Sequence, residues 1–508
     1  MELLNEELVD WQVKDKKLYK FGQHLEELNK EFCLLDMSLV SGPYDTVPNI
    51  YRAKSLLGKF KRLTENVCSI GLDDPFDQLV ATNYVSSIFA QQEYIKFFFS
   101  QKYNKEIGIR SFMDVLFLSN DGSEEGLNKG AVAFLEDKLR NVNYKKITER
   151  ENLMQDIFLH YVPTTPSGIE GMVAEQLPRL REMISDYNKE MGFETNDQLN
   201  IQKEIITEHD AQRLQQSINN IFGKPGTKDS MIKIANRRLD SLDPKQVSDI
   251  NALLYDLVFS YEDVASYDWG TRTMEVNLDR FYFYNDLKTG EVKFFSADLD
   301  KTVGHENFHR LQGYFSKSMP PALKFYDGEY NPNGRIMIEG IPLFLENNSF
   351  LPWMNKNKER LDLSDKDLKI CSLGDEQHFA NRVMRLCHAI YHRELMVEGG
   401  NDYDAHVRLA KVSKNPVLLD DEYLPDEKMS DVLYYAFYLF GEHYVKKTLN
   451  QLEDMETKRC GSKNKAKEFL NRNEPLVVQG LLTGNWGWET QGKFFLEHYW
   501  PRARQLCK

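Results

Sequence analysis

The chain has 508 residues, of which 41% are hydrophobic and 28% charged. That is a globular composition with enough apolar side chains to bury a core, and it excludes a disordered chain. The net charge of −14 argues against general nucleic-acid binding, which works by neutralising phosphates.

The first residues, Met1-Glu2-Leu3-Leu4-Asn5-Glu6-Glu7, are acidic, and no basic segment followed by an apolar one comes after them, so no leader is expected. The strongest apolar runs, 336–345 and 432–440, are about half the ~20 residues that a membrane span needs. The six cysteines are scattered without a Cys-x-x-Cys pair, as in a reducing compartment. A cytoplasmic protein with neither membrane nor nucleic-acid partner is the expectation. Length alone allows about three domains.

Apolar residues recur at three- and four-residue spacing through 51–100, 131–160 and 170–190, which predicts helices. Thr207 and Asp210 resemble a capping box, with Gly223 as its stop, and 163–168 and 223–226 are breakers. Residues 272–295 differ. They are rich in Val, Phe and Tyr around a turn-like 285–290 and predict a β-hairpin. Helical patterning returns near 296 and continues to the end. The fold class expected is mainly α with one small β element.

One segment carries chemistry. His305-Glu306-Asn307-Phe308-His309 places two imidazoles at i and i+4, on one helix face, where both reach a single cation. Glu306 lies about a quarter turn away and addresses a metal-bound water without ligating. Such a site suits Zn²⁺, which takes three protein ligands in catalytic centres. Chance alone produces the pattern in roughly 2 chains per 100 of this composition. The zincin class that continues to Gly and then a third His is excluded, because those positions hold Gln312 and Phe315. A Glu on a later helix is the other common ligand. Glu339 stands inside the apolar run 336–345, where a buried carboxylate needs a counter-charge. A zinc ion supplies one; pairing with Arg335 is the competing reading. Glu346, seven residues on along the same face, is a candidate to orient a ligating His.

These segments resemble the gluzincin metallopeptidases with a neurolysin-like helical fold. They are nearest to a family of helical zinc peptidases whose members carry Thr-Val-x-His-Glu, then His-x-Leu-Gln, then Glu-Gly-Trp-Ala-Leu-Tyr-x-Glu. The counterparts are Thr302-Val303-Gly304-His305-Glu306, His309-Arg310-Leu311-Gln312 and Glu339-Gly340-Ile341-Pro342-Leu343-Phe344-Leu345-Glu346. The similarity covers 296–490. Pro342 stands where the family has Ala, and a proline there is expected to kink the ligand helix. The resemblance implies a large two-lobed helical channel, with 1–225 as one wall and 226–508 as the catalytic half, a small β element beside the site, and peptide substrates. It implies zinc on His305, His309 and Glu339, with Glu306 as the base. It points to His392 and Tyr438 as donors to the oxyanion, with His388 and Tyr391 as near alternatives. Arg382, Arg385 and Arg393 are candidates to grip a substrate carboxylate, with surface ion pairs as the competing reading. The segment 484–488 either lines a pocket or is a packed loop. Oligomeric state is left open.

Overall fold

Leu18, Phe21, Leu25, Leu28, Phe32 and Leu35 are all buried, one apolar stripe at helical spacing, and they make α1 (Lys16–Ser41). Asp15 caps it, its carboxylate accepting from the backbone of Lys17 at 2.7 Å and Leu18 at 2.8 Å. The same logic gives α2 (Val47–Cys68), with Ala53, Leu56, Phe60, Leu63 and Val67 inside. In α3 (Pro75–Tyr103), Asp74 caps and Pro75 opens the first turn. In this computed structural model the described residues are 11–41, 47–103, 161–163, 170–193, 199–203, 265–276, 283–286, 292–294, 297–325, 332–372 and 429–507, apart from 270, 366 and 370, with 137, 141 and 149 as single positions. The helices expected over 131–160 and the capping box at 207–210 lie outside them.

Helix also dominates the described residues beyond α3. The elements are α4 (Glu170–Glu190), α5 (Ala297–Phe315), α6 (Pro332–Leu345), α7 (Leu351–Lys356), α8 (Met429–Cys460), α9 (Lys463–Arg472), α10 (Glu474–Leu482), α11 (Trp488–Lys493) and α12 (Trp500–Ala503). No helix among the described residues is long and apolar enough to cross a membrane. The mainly α class is as expected, and two small sheets accompany the helices. One is antiparallel, with β1 (Tyr161–Pro163), β5 (Phe283–Asp286) and β6 (Val292–Phe294) in the order β1-β5-β6. The other is mixed. Its central strand β4 (Thr273–Val276) lies parallel to β2 (Asn200–Lys203) and antiparallel to β3 (Ala265–Asp268).

The single hairpin expected over 272–295 is therefore corrected. Its second part pairs as expected, Phe283 opposite Phe294 and Asn285 opposite Val292. Residues 273–276 turn the other way, pairing with 265–268 through a tight connection in which Arg272 has φ 57°. The partner Ala-Ser-Tyr-Asp has no run of β-branched residues, so nothing local marked it as a strand.

One hydrophobic cluster runs from Trp11 to Ala503. Trp11 packs against Phe76 and Phe494 at centroid distances of 5.5 and 4.9 Å. At its centre is α5, buried on nearly every side. A helix so placed is usually apolar all round, but α5 buries Asp300, Lys301, His305, Glu306, Asn307, His309 and Gln312. Two of these fix it to α4. Asp300 takes a bidentate pair from Arg179 at 2.7 and 2.6 Å, and Asn307 exchanges amide hydrogen bonds with Asn188 at 2.9 and 3.0 Å. On another side, α6 and α8 touch backbone to backbone at Gly340 and Gly441, where a side chain on either glycine would run into the other helix.

Candidate metal centre

The i, i+4 spacing on α5 brings Nε2 of His305 and Nε2 of His309 to 3.2 Å of one another. The outer nitrogens are both engaged. His305 Nδ1 meets Glu346 Oε2 at 2.8 Å, and a carboxylate only accepts, so Nδ1 is the donor. His309 Nδ1 meets Gln312 Oε1 at 3.0 Å. The amide orientation of Gln312 follows from its other end, where Nε2 donates to the carbonyl of Ile338 at 3.2 Å. That carbonyl is free because the residue four ahead is Pro342, which has no N–H to give it. The helix itself continues past Pro342 to Leu345 and then widens into a π turn, Glu346–Phe350. The proline thus leaves an acceptor that orients Gln312, and Gln312 in turn makes His309 Nδ1 a donor. The two Nε2 atoms are then the ones left facing the same point, where a bound cation would take their lone pairs.

Glu339 supplies the third atom. Its Oε2 lies 3.4 Å from His309 Nε2 and 3.8 Å from His305 Nε2. Atoms bound tetrahedrally to zinc at 2.0–2.1 Å stand roughly 3.3 Å apart. The three edges of this triangle, 3.2, 3.4 and 3.8 Å, fit a shared cation of that size. Two facing lone pairs beside a carboxylate repel unless protons or a cation lie between them. The donor set, two imidazoles and one carboxylate, fits zinc and leaves room for a fourth ligand.

The carboxylates respond differently to their surroundings. Burial opposes the charge of Glu339, but the charges and hydrogen bonds of His309 and His305 outweigh it and hold the carboxyl well below the usual range. Burial raises the pKa of Glu306, and the two histidines only partly offset this. Burial also works against a charge on His305, yet Glu339 and Glu346 bring its pKa up to about 10, and metal binding would have to displace that proton. Glu346 is opposed by burial too, and Lys301 with His305 holds it down at about 2. One oxygen of Glu306 and one nitrogen of each histidine lie within 4.8 Å of one another, so Glu306 borders the same point.

Tyr438 is the predicted auxiliary residue that the fold brings here. Its ring centroid lies 6.4 Å from that of His305. It sits one turn before Gly441 on α8, and the Gly340–Gly441 contact is what draws that turn toward Glu339. His392, His388, Tyr391, Arg382, Arg385 and Arg393 lie outside the described residues, as does the side chain of Arg335. The segment 484–488 is a packed loop. Trp486 is fully buried and stacked on Phe494, and Trp488 is stacked on Tyr444.

Sequence reasoning missed three neighbours. Lys301 pairs with Glu346 at 2.8 Å. Gln312 enters the sequence reading as an excluded ligand and as the last residue of the His309–Gln312 motif, in neither case with a role at the site. Trp269, at the end of β3, donates from Nε1 to the His309 carbonyl at 3.0 Å and stands edge-on to the His309 ring. Gly313 leaves room for that indole. The signal for Lys301 was its position one turn before His305; nothing in the local sequence marked Trp269.

No family model matches the chain, and no curated protein does. Among solved structures, that of a putative lipoprotein from Colwellia psychrerythraea aligns over 94% of this chain and 98% of its own, at 10% identity and a TM-score of 0.34. That likeness is too distant to bear on activity.

Proposed function

We propose that this chain is a zinc-dependent metallopeptidase acting on short peptides or chain ends. The observation that carries the reading is the convergence of His305 Nε2, His309 Nε2 and Glu339 Oε2, with each Nδ1 committed to a separate acceptor. His305, His309 and Glu339 would hold the metal, and a zinc ion there would lower the pKa of a water and polarise the scissile carbonyl. The environments of the two carboxylates support different roles. Glu339 is kept ionised, as a ligand needs, whereas burial makes Glu306 more basic, as a proton carrier needs. Glu306 takes a proton from the attacking water and passes it to the leaving amine. Tyr438 donates to the developing oxyanion. An extended peptide would add to β3, the edge strand against α5, rather than to the 273–276 strand, which is central in its sheet.

Metal analysis combined with a peptide-library digest tests this. About one zinc per chain and chelator-sensitive cleavage are expected. Glu306→Gln should lower turnover by at least ~10²-fold and keep its zinc. Unchanged activity in that variant would sink the reading, and zinc without any cleavage in the wild type would make the chain a metal-binding scaffold.

A further inference from the structure

Lys301 lies one turn before His305 and two turns before His309, on the same face of α5, and only 2% of it is exposed. An ammonium is costly to bury unless it is paired. It pairs with Glu346, and the carboxylate is divided: Oε1 meets Lys301 Nζ at 2.8 Å and Oε2 meets His305 Nδ1 at 2.8 Å. With one oxygen taken by Lys301, the carboxylate cannot rotate away from the imidazole without breaking an ion pair in a dry environment.

The charges make a second argument. Glu306 and Glu346 are buried and Glu339 is nearly so; Glu306 and Glu339 border both imidazoles and Glu346 borders that of His305. When ionised they carry three negative charges. Histidines that ligate a metal are neutral, so a divalent cation offsets two of the three. The Lys301 ammonium offsets the remaining one.

We propose that Lys301 is a positioning residue of the metal centre, acting through Glu346: it fixes the oxygen that orients His305 and completes the charge of the loaded site. This rests on the zinc reading of the centre. The test is zinc affinity, measured by competition with a chromophoric chelator, for wild type, Lys301→Met, Glu346→Gln and the double variant. The thermal midpoint of each metal-free protein is recorded alongside. Lys301→Met is expected to bind zinc ~10–100-fold more weakly, the range seen when a ligand's orienting partner is lost. Because Lys301 acts through Glu346, the double variant should bind no more weakly than Glu346→Gln alone. A lysine needed only for packing would shift the thermal midpoint and leave the affinity alone. The proposal is overturned if wild type binds zinc and Lys301→Met binds it equally well, or if the two losses multiply. Should Lys301→Met not fold, the comparison of Glu346→Gln with the double variant decides: equal affinity supports the coupling and further loss overturns it. A wild type that takes up no zinc overturns the metal reading, and this proposal with it.

Discussion

At the scale of single residues, the centre depends on where each imidazole places its one proton. His309 owes its tautomer to Gln312, and Gln312 owes its orientation to a carbonyl that Pro342 leaves free. Gln312→Leu is therefore expected to weaken zinc binding by ~10–100-fold while the protein stays folded, since leucine has a similar volume. Chelator titration of the variant checks this, and wild-type affinity would show that the His309 proton is set elsewhere. The convergence of the candidate ligands was legible because it needs only local rules: two histidines on one helix face, and a carboxylate in an apolar run. The Gln312 role was not, because a glutamine's meaning depends on which carbonyl faces it. That carbonyl is on α6, 26 residues away in sequence.

At the scale of elements, α6 is held between α5 and α8, and the Gly340–Gly441 contact sets how close the second pair comes. Gly441→Ala inserts a methyl group where backbone already stands. It should cost ~1–3 kcal/mol or more, read as a lower denaturation midpoint, and should displace Tyr438 from His305. Gly58→Ala is the contrast. Gly58 lies exposed on α2 with open space around it, and the same change there should stabilise by ~0.5–1 kcal/mol. Equal effects at the two positions would show that α6 and α8 can separate at little cost. Helices were legible from periodicity, as α1 and α2 illustrate. The mixed sheet was not, because β4 takes one partner from 265–268 and another from 200–203, and pairing across more than sixty residues has no local signature.

At the scale of the whole molecule, the centre lies inside the common core, so binding there stabilises the entire fold. Free zinc at a thousandfold excess over its Kd would add about 4 kcal/mol. Chelation should lower the thermal midpoint and added zinc restore it, by calorimetry on the same sample; an unresponsive midpoint would mean that no metal occupies this core. The domain boundary expected at 225 lies outside the described residues, but Trp11 against Phe494 shows that both ends of the chain contribute to one core. His305 also has a mechanical consequence. Glu346 holds one of its nitrogens and Glu339 approaches the other, and both glutamates come from the same stretch of chain, two turns apart. A slip of α6 by one residue, 1.5 Å along and 100° around its axis, would carry both carboxylates off the ring together. His305 thus ties α5 to that one stretch through both of its nitrogens, and its two contacts are made or lost together.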